Sequence, residues 1–336
     1  MSGNDARILI PPTLSPAAFA AREAKGRVTI LHGLTMGTSW SVRLVAPPAG
    51  LPDVTPGIER VLDRVVAQMS NWEAGSDISR FNRSPTGAWQ LPPPEFMTVL
   101  DAALGVARLS GGAFDPAIGA LVNLWGFGPA GPRTAPPEDS AIAEALARSG
   151  WTRIEHDMPG LRARRTVAVD LDFSGIAKGF GVDQLSEWLT AQGLSHHLVE
   201  IGGELRGSGL KPDGQPWWID LEAPPGLGLQ LNRVALHGLS VATSGDYRRW
   251  FEHDGARHAH SLDPRTGRPI ANGVASVTVL HPSCTMADAW ATALTVLGAE
   301  AGLALAEKQG LAATFVERTE GVAREWQSTT FKAMLD

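Results

Sequence analysis

Cysteine is almost missing from this chain: Cys284 is the single example in 336 residues. That excludes an internal disulfide framework and a thiolate metal cluster, and leaves a reduced, structurally incidental thiol. No apolar run approaches the length of a membrane span. Basic residues do not dominate either. The formal net charge is −6, which excludes a broad nucleic-acid footprint. Neither a Walker loop nor a GxGxxG dinucleotide fingerprint is present, which argues against a pyridine-nucleotide oxidoreductase. The N-terminus, MSGNDARILIPPTLSP, lacks the basic segment, apolar core and small-residue cleavage site of an export signal, and no lipobox-like cysteine is present. A cytoplasmic location is therefore expected. A periplasmic or membrane-attached protein is the alternative if a signal has been trimmed.

What remains is a soluble globular composition, 43% hydrophobic and 19% charged. Residues 1–26, with Pro11, Pro12 and Pro16, are expected to form an arm, and residues 27–336 one folded unit. Arg27–Leu34 and Ser39–Ala46 have β-type composition around a Thr-Met-Gly-Thr break. Thr55 followed by Pro56 is a helix start. Ile58, Val61, Leu62, Val65, Val66 and Met69 then follow the 3,4 spacing of an amphipathic helix, and Phe96, Val99, Leu100, Ala103 and Ala107 repeat it. Pro129–Pro137 reads as a loop and Ala141–Ala147 as a third helical stretch. Val167–Phe173, His197–Ile201, Trp217–Glu222, Val234–Leu236 and Ser276–Leu280 read as strands. Lys178–Gln192 and Glu300–Gln309 read as helices closed by Gly193 and Gly310. The mixture has no steady βαβ rhythm, which predicts α+β rather than a doubly wound sheet.

The most informative segment is Met286-Ala-Asp-Ala-Trp-Ala-Thr-Ala-Leu294. As a helix it sets Asp288 and Thr292 one turn apart on one face. A carboxylate and a hydroxyl in otherwise small, apolar surroundings suit a hard cation such as Mg²⁺, which takes oxygen ligands and leaves positions open for phosphate. Such a pair also occurs with Thr bonded back to a carbonyl and Asp solvated. Five Gly-punctuated segments each put polar groups at the end of an apolar run. Met36-Gly-Thr-Ser-Trp40 sits between two strands, where Gly37 serves a bend or a ligand. Met69–Asn82 places Trp72 in a polar loop, as a stacking ring or a core cap. Gly111–Gly128 carries a Gly pair that admits a flat group and Asp115, able to accept from a ring N–H. Val169–Asp183 reads as strand, Gly turn and helix with Lys178 at the start, an anion site in outline or a plain connection. The fifth spans Ala242–Phe251 and His258–Pro269. There His260 precedes an Asp-Pro-Arg-Thr-Gly turn and is a candidate proton acceptor or a bystander. His258 beside it lacks a third ligand for a transition metal.

Taken together, MGTSWSV, MSNWEAGSDISRFN, GGAFDPAIGALVNLWGFGP, LDFSGIAKGFGVD, LVEIGGELRGSG, ATSGDYRRWF, HSLDPRTGRP and ADAWATAL, in this order, resemble the ApbE family of FAD:protein FMN transferases. The resemblance covers residues from about 36 to 298. It implies an α+β fold with sheet elements similar to the T-fold and the flavin in a cleft. It implies Mg²⁺-dependent cleavage of FAD, transfer of FMN to a Thr or Ser hydroxyl of a partner flavoprotein through a phosphoester, and release of AMP. By resemblance, Met36, Trp72, Ala113, Phe114, Asp115, Asp172, Lys178 and Ile270 border FAD. The Gly175 carbonyl, Asp288 and Thr292 hold the metal. His260 lies near the reacting centre, with either it or Asp288 as the base. Trp72 stands where the family usually has Tyr, so a ring survives but a phenol hydrogen bond does not. Many family members are exported lipoproteins, and this chain shows no such signal. An Mg²⁺-dependent FAD pyrophosphatase and a non-catalytic flavin carrier are the rival readings; retention of Asp288 with Thr292 favours an enzyme.

Overall fold

The structure, a computed structural model, describes residues 6–11, 19–319 and 322–335. Within the segment expected as an arm, β1 (Arg7–Leu9) pairs with a later strand, and residues 1–5 and 12–18 lie outside the described part. A hairpin follows, β2 (Arg27–Thr35) and β3 (Thr38–Ala46). Its turn is Met36-Gly37, with φ of 50° and 71°. Positive φ at both central residues is what a two-residue turn needs to match strand twist, and Gly37 supplies it without steric cost. The Thr-Met-Gly-Thr break is therefore a tight turn that puts Met36 at a hairpin tip.

Helices α1 (Thr55–Met69), α2 (Asp77–Arg83), α3 (Pro94–Leu109), α4 (Gly119–Leu124) and α5 (Asp139–Ala147) come next, then the β4 (Ile154–Asp157)–β5 (Arg162–Arg165) hairpin. α1 buries Ile58, Val61, Leu62, Val65 and Met69, the apolar face its spacing predicts. The strand expected at Val167–Phe173 does not form. That stretch begins in a bend, Val169 N–H donating to the Val167 carbonyl (2.9 Å), and its later bonds leave for loops: Leu171 N–H donates to Asn82 Oδ1 (2.7 Å) and Asp172 N–H to the Pro116 carbonyl (2.7 Å). Among the described residues no strand pairs with it, so apolar alternation there serves burial.

The second half holds α6 (Ala177–Ala191), β6 (His197–Ile201), β7 (Glu204–Ser208), β8 (Trp217–Asp220), β9 (Asn232–Leu236) and β10 (Leu239–Gly245). Two small hairpins follow, β11 (Trp250–His253) with β12 (Ala256–Ala259), and β13 (Leu262–Asp263) with β14 (Arg268–Pro269). The chain ends in β15 (Val274–His281), α7 (Cys284–Leu297), α8 (Ala299–Gln309), β16 (Ala312–Thr319), β17 (Val322–Gln327) and α9 (Thr329–Lys332). The main sheet has eight strands in the order β17-β16-β15-β10-β7-β6-β3-β2, all antiparallel, and β1-β9-β8 form a second sheet. Antiparallel pairing throughout the main sheet bears out the α+β reading. One face carries α1, α6 and α7 over Trp40, Val42, Val199, Val277 and Val279. On the opposite face the smaller sheet and α9 bury Leu9, Trp217, Val234, Val241 and Phe331. Among the described residues no helix is long and apolar enough to cross a membrane.

Candidate active site

The site is built where α6 meets α7. Gly179 lies in the first turn of α6, and a Cβ there would sit 2.3 Å from the Cys284 carbonyl oxygen and 2.8 Å from Asp288 Cβ. Only glycine permits that approach. It brings the Gly179 N–H to Asp288 Oδ2 (3.0 Å). That N–H would otherwise serve the carbonyl four residues back in a continuing helix, which is Gly175. Gly175 in turn packs on Thr292: a Cβ on it would lie 3.0 Å from Thr292 Oγ1 and 3.3 Å from Phe114. Asp288 and Thr292 are one turn apart on α7, as the spacing predicts. Gly175, Asp288 and Thr292 are thus neighbours in space, joined by Ser244, whose Oγ is 3.3 Å from Thr292 Oγ1.

The position of α7 is fixed from below. Asp183 of α6 accepts from Ser283 Oγ (2.8 Å), Cys284 N–H (2.9 Å), Thr285 N–H (2.9 Å) and Thr285 Oγ1 (2.8 Å), and pairs with Arg206 at 2.6 Å. A carboxylate on the first N–H groups of a helix satisfies donors that have no partner within it and opposes the positive end of the dipole.

Electrostatics concentrate at the same point. Lys178 Nζ is 2.5 Å from Glu204 Oε1. Burial alone would depress Lys178, but Glu204 and Asp288 outweigh it and hold the ammonium above the ordinary lysine value. Burial raises Asp288, with Lys178 and the Gly179 N–H pulling the other way. Burial likewise raises Glu204 against the pull of Lys178. Asp288 and Glu204 are 3% and 2% exposed, and among the described residues the second Glu204 oxygen has no hydrogen-bond partner. Two buried carboxylates face the Lys178 ammonium, with the Arg248 guanidinium acting on Glu204 as a weaker second cation.

Three loops close around this centre. Asp172 accepts from Asn71 Nδ2 (3.0 Å) and Ser174 N–H (2.8 Å), which ties the Trp72 loop to the start of α6. Trp72 itself is 53% exposed, and among the described residues its ring makes no ring or cation contact. Ala113 and Phe114 are buried, Phe114 beneath Gly175. Asp115 accepts from Ala117 N–H (2.7 Å) and Trp151 N–H (3.0 Å); burial pushes its pKa up to about 6 despite both bonds. Met36, at the hairpin tip, lays its methyl 3.1 Å from where a Gly181 Cβ would be.

His260 follows β12, and Ile270 is held beside it by an N–H bond to the Ser261 carbonyl (3.0 Å). His260 Nδ1 is 3.0 Å from the Arg249 carbonyl oxygen. A carbonyl only accepts, so Nδ1 carries the proton and Nε2 keeps its lone pair. Burial lowers the imidazole to about 4, with Arg249, Lys178 and Arg248 pushing the same way, so it is neutral near pH 7. His258 stacks on Phe251 with centroids 4.9 Å apart, a packing role. Among the described residues no group of three His, Cys, Asp or Glu forms a metal cluster. Any cation here would rest on one carboxylate, a hydroxyl and a carbonyl.

Sequence reasoning missed Glu204, Ser244, Arg248 and Asp183. Glu204 follows the Gly202-Gly203 break, and Arg248 donates to the Gly202 carbonyl (3.0 Å). The signal available was a carboxylate just after a Gly pair in an apolar strand.

Residues 36–315 match the ApbE family. The chain is 40% identical over 311 residues to the FAD:protein FMN transferase of Vibrio cholerae, covering 91% of this chain and 92% of that protein. With the Haemophilus influenzae protein of the same name it shares 37% over 332 residues, 95% of each chain. Among solved structures, the apo form of Pseudomonas stutzeri flavinyl transferase ApbE superposes with a TM-score of 0.85 at 39% identity, covering 92% of this chain and 97% of that one. The Vibrio cholerae flavin transferase ApbE gives 0.84 at 36% identity, with 92% and 100% covered. With the family matched across most of its length and the fold shared with solved members, this chain belongs to the ApbE family.

Proposed function

We propose that this chain transfers FMN from FAD to a Thr or Ser hydroxyl of a partner flavoprotein, with Mg²⁺, and releases AMP. The reading is carried by the grouping of Gly175, Asp288 and Thr292 beside Lys178 in a chain whose relatives bear the name FAD:protein FMN transferase. The residues present fit a hard cation. They offer oxygen only, one carboxylate is already buried, and the diphosphate would complete the shell. Asp288, Thr292 and the Gly175 carbonyl would hold Mg²⁺, which supplies charge neutralisation at the diphosphate.

The chain's own groups do the rest. Lys178, kept charged by two carboxylates, stabilises charge that develops on the phosphoryl oxygens. Trp72 offers a stacking face for the flavin ring, and Asp172 with Asp115 holds the loops around it. The acceptor hydroxyl oxygen bonds to the FMN-side phosphorus as the P–O bond to AMP breaks, and AMP leaves with that oxygen. The hydroxyl proton passes to His260 Nε2, whose lone pair is free because Nδ1–H is committed to Arg249. Asp288 is less suited to that step, since one oxygen already accepts from Gly179.

The test is incubation with FAD, MgCl₂ and a purified flavoprotein encoded in the same genome neighbourhood. Covalent flavin fluorescence in a denaturing gel, an FMN adduct on Thr or Ser by mass spectrometry, and loss of both with EDTA are expected. Free FMN and AMP without any adduct would make the chain an FAD pyrophosphatase instead.

A further inference from the structure

The two edges of the main sheet are protected unequally. β17 carries Arg324 and Glu325, with Glu325 paired to Arg7 at 2.6 Å and the Arg324 guanidinium 3.9 Å from the Trp326 ring centroid. Charged edge side chains discourage further pairing. β2 is guarded only by Arg27 at its start and by His32 midway, both exposed. It runs nine residues without proline, ends the strand order, and between Arg27 and Thr35 carries no carboxylate or further Lys or Arg. Val28, Ile30 and Leu34, all on one face, are 43%, 58% and 86% exposed. Val28 and Ile30 line an open groove with Arg43, Lys211 and Trp218. Arg43 is the cross-strand partner of Ile30 and, among the described residues, is in no ion pair, whereas Lys211 has Asp213 at 3.5 Å. Glu200, the nearby acid on this face, already accepts from Ser41 at 2.8 Å.

β2 also leads directly to the candidate active site. Leu34 is two residues from Met36, and Thr38, across the turn, lies against Gly202, itself against the Lys178 chain. We propose that β2 is a docking edge for an extended segment of the acceptor protein. This segment adds as a further strand, lays apolar side chains over Val28, Ile30 and Leu34, meets Arg43 with an acidic residue, and ends with its hydroxyl residue beside the Met36-Gly37 turn. Main-chain bonds to an open edge give affinity, and alternate side chains give specificity. The identity of the occupant as acceptor rests on the transferase reading. The docking itself does not, and the two fail separately.

The first probe is a fluorescein-labelled twelve-residue peptide that alternates valine and threonine and carries two aspartates, beside its aspartate-to-lysine counterpart. The acidic peptide should bind the full chain, slow amide exchange within residues 27–35, and lose about tenfold in affinity to the Ile30→Glu/Leu34→Glu variant. Arg43→Glu should erase its advantage over the lysine peptide. Unchanged exchange along β2, or equal binding of the two peptides, overturns the proposal. The second arm uses whichever acceptor the wild-type chain labels. The same variants should raise the acceptor KM while FAD affinity stays put. If KM holds, the proposal is wrong; if the variants also turn a wild-type dimer into monomers with transfer intact, β2 serves a second copy instead. Peptide docking without any flavinylation would instead count against the transferase reading alone.

Discussion

The junction of α6 with α7 and the hairpin region that carries His260 are built in opposite ways. At the junction every position is over-determined. Glycine is enforced at 179, Asp183 gathers four hydrogen bonds and an ion pair, and Asp288 is buried with its own backbone donor. Around His260, two-stranded hairpins carry short-range bonds, Nδ1 to the Arg249 carbonyl and Ile270 N–H to Ser261, and lean on residues 121–127 through Phe127 against His260 and Trp125 Nε1–H to the Gly267 carbonyl (2.8 Å). A group that must grip a polyanion benefits from fixed geometry. On the proposed mechanism, the histidine that meets the acceptor hydroxyl instead sits on hairpins outside the main sheet. The contrast teaches which losses should be chemical and which structural.

Asp288→Ala breaks the contrast hardest. It removes the only carboxylate of the oxygen-ligand group, and transfer at saturating FAD and Mg²⁺ should fall below detection while far-UV circular dichroism keeps its native shape. Normal turnover would remove the metal assignment. His260→Gln comes next. Losing a general base typically costs about 10²–10⁴ in rate, so kcat should drop with little change in melting temperature, because the ring's bonds are local. Full activity at neutral pH would exclude it as the base.

Gly179→Ala separates the regions in the other direction. The new methyl meets backbone that cannot move aside, and overpacking of this kind costs roughly 1–3 kcal/mol. A lowered denaturation midpoint, with weakened Mg²⁺ dependence, is expected; a wild-type midpoint would show that the helices can part freely. The smallest effect belongs to Trp72→Ala, where loss of stacking worth about 1 kcal/mol should weaken FAD binding several-fold by fluorescence titration.

A pH series sharpens the same comparison through a residue outside the site. His197 is fully buried between Ser186 Oγ (2.8 Å) and the Leu194 carbonyl (2.6 Å), and burial lowers it to about 4. Its folded value lies below its unfolded one, so the unfolded chain binds the extra proton. Stability is therefore complete above about pH 6.5 and is lost as pH falls toward 4. Asp115 acts oppositely: raised to about 6, it favours the fold at low pH and withdraws that support as pH rises through 6. Raised Glu204 also favours the fold as pH falls and lowered His260 opposes it, so the His197 share is read as a difference: between pH 7 and 5 the wild type should lose more stability, or gain less, than His197→Gln in chemical denaturation. An unchanged slope would place the acid sensitivity elsewhere.

Periodicity made the helices at 55–69 and 94–109 legible because apolar residues recur at helical spacing on a buried face, whereas 284–297 is buried nearly all round and shows no such stripe. Periodicity misassigned 167–173, where apolar alternation is satisfied by a loop that borrows Asn82 and Pro116 as backbone partners. That information lies some 50 to 90 residues away in the chain. That Asp288 and Thr292 lie one turn apart on one helix was readable from spacing, while a ligand role for them came only with the family resemblance. Their neighbours Glu204 and Ser244 were not readable, since sheet order, not sequence distance, brings β7 and β10 beside α7. The remaining site residues were reachable through the family resemblance, which carries contacts no single segment encodes.

The Asp183 network has one further consequence. Because a carboxylate on the neighbouring helix already saturates the opening turn of α7, that helix arrives aimed and locked before any nucleotide enters. Little entropy is left for substrate binding to remove there, and the energy gained on binding remains for bringing two macromolecules into register.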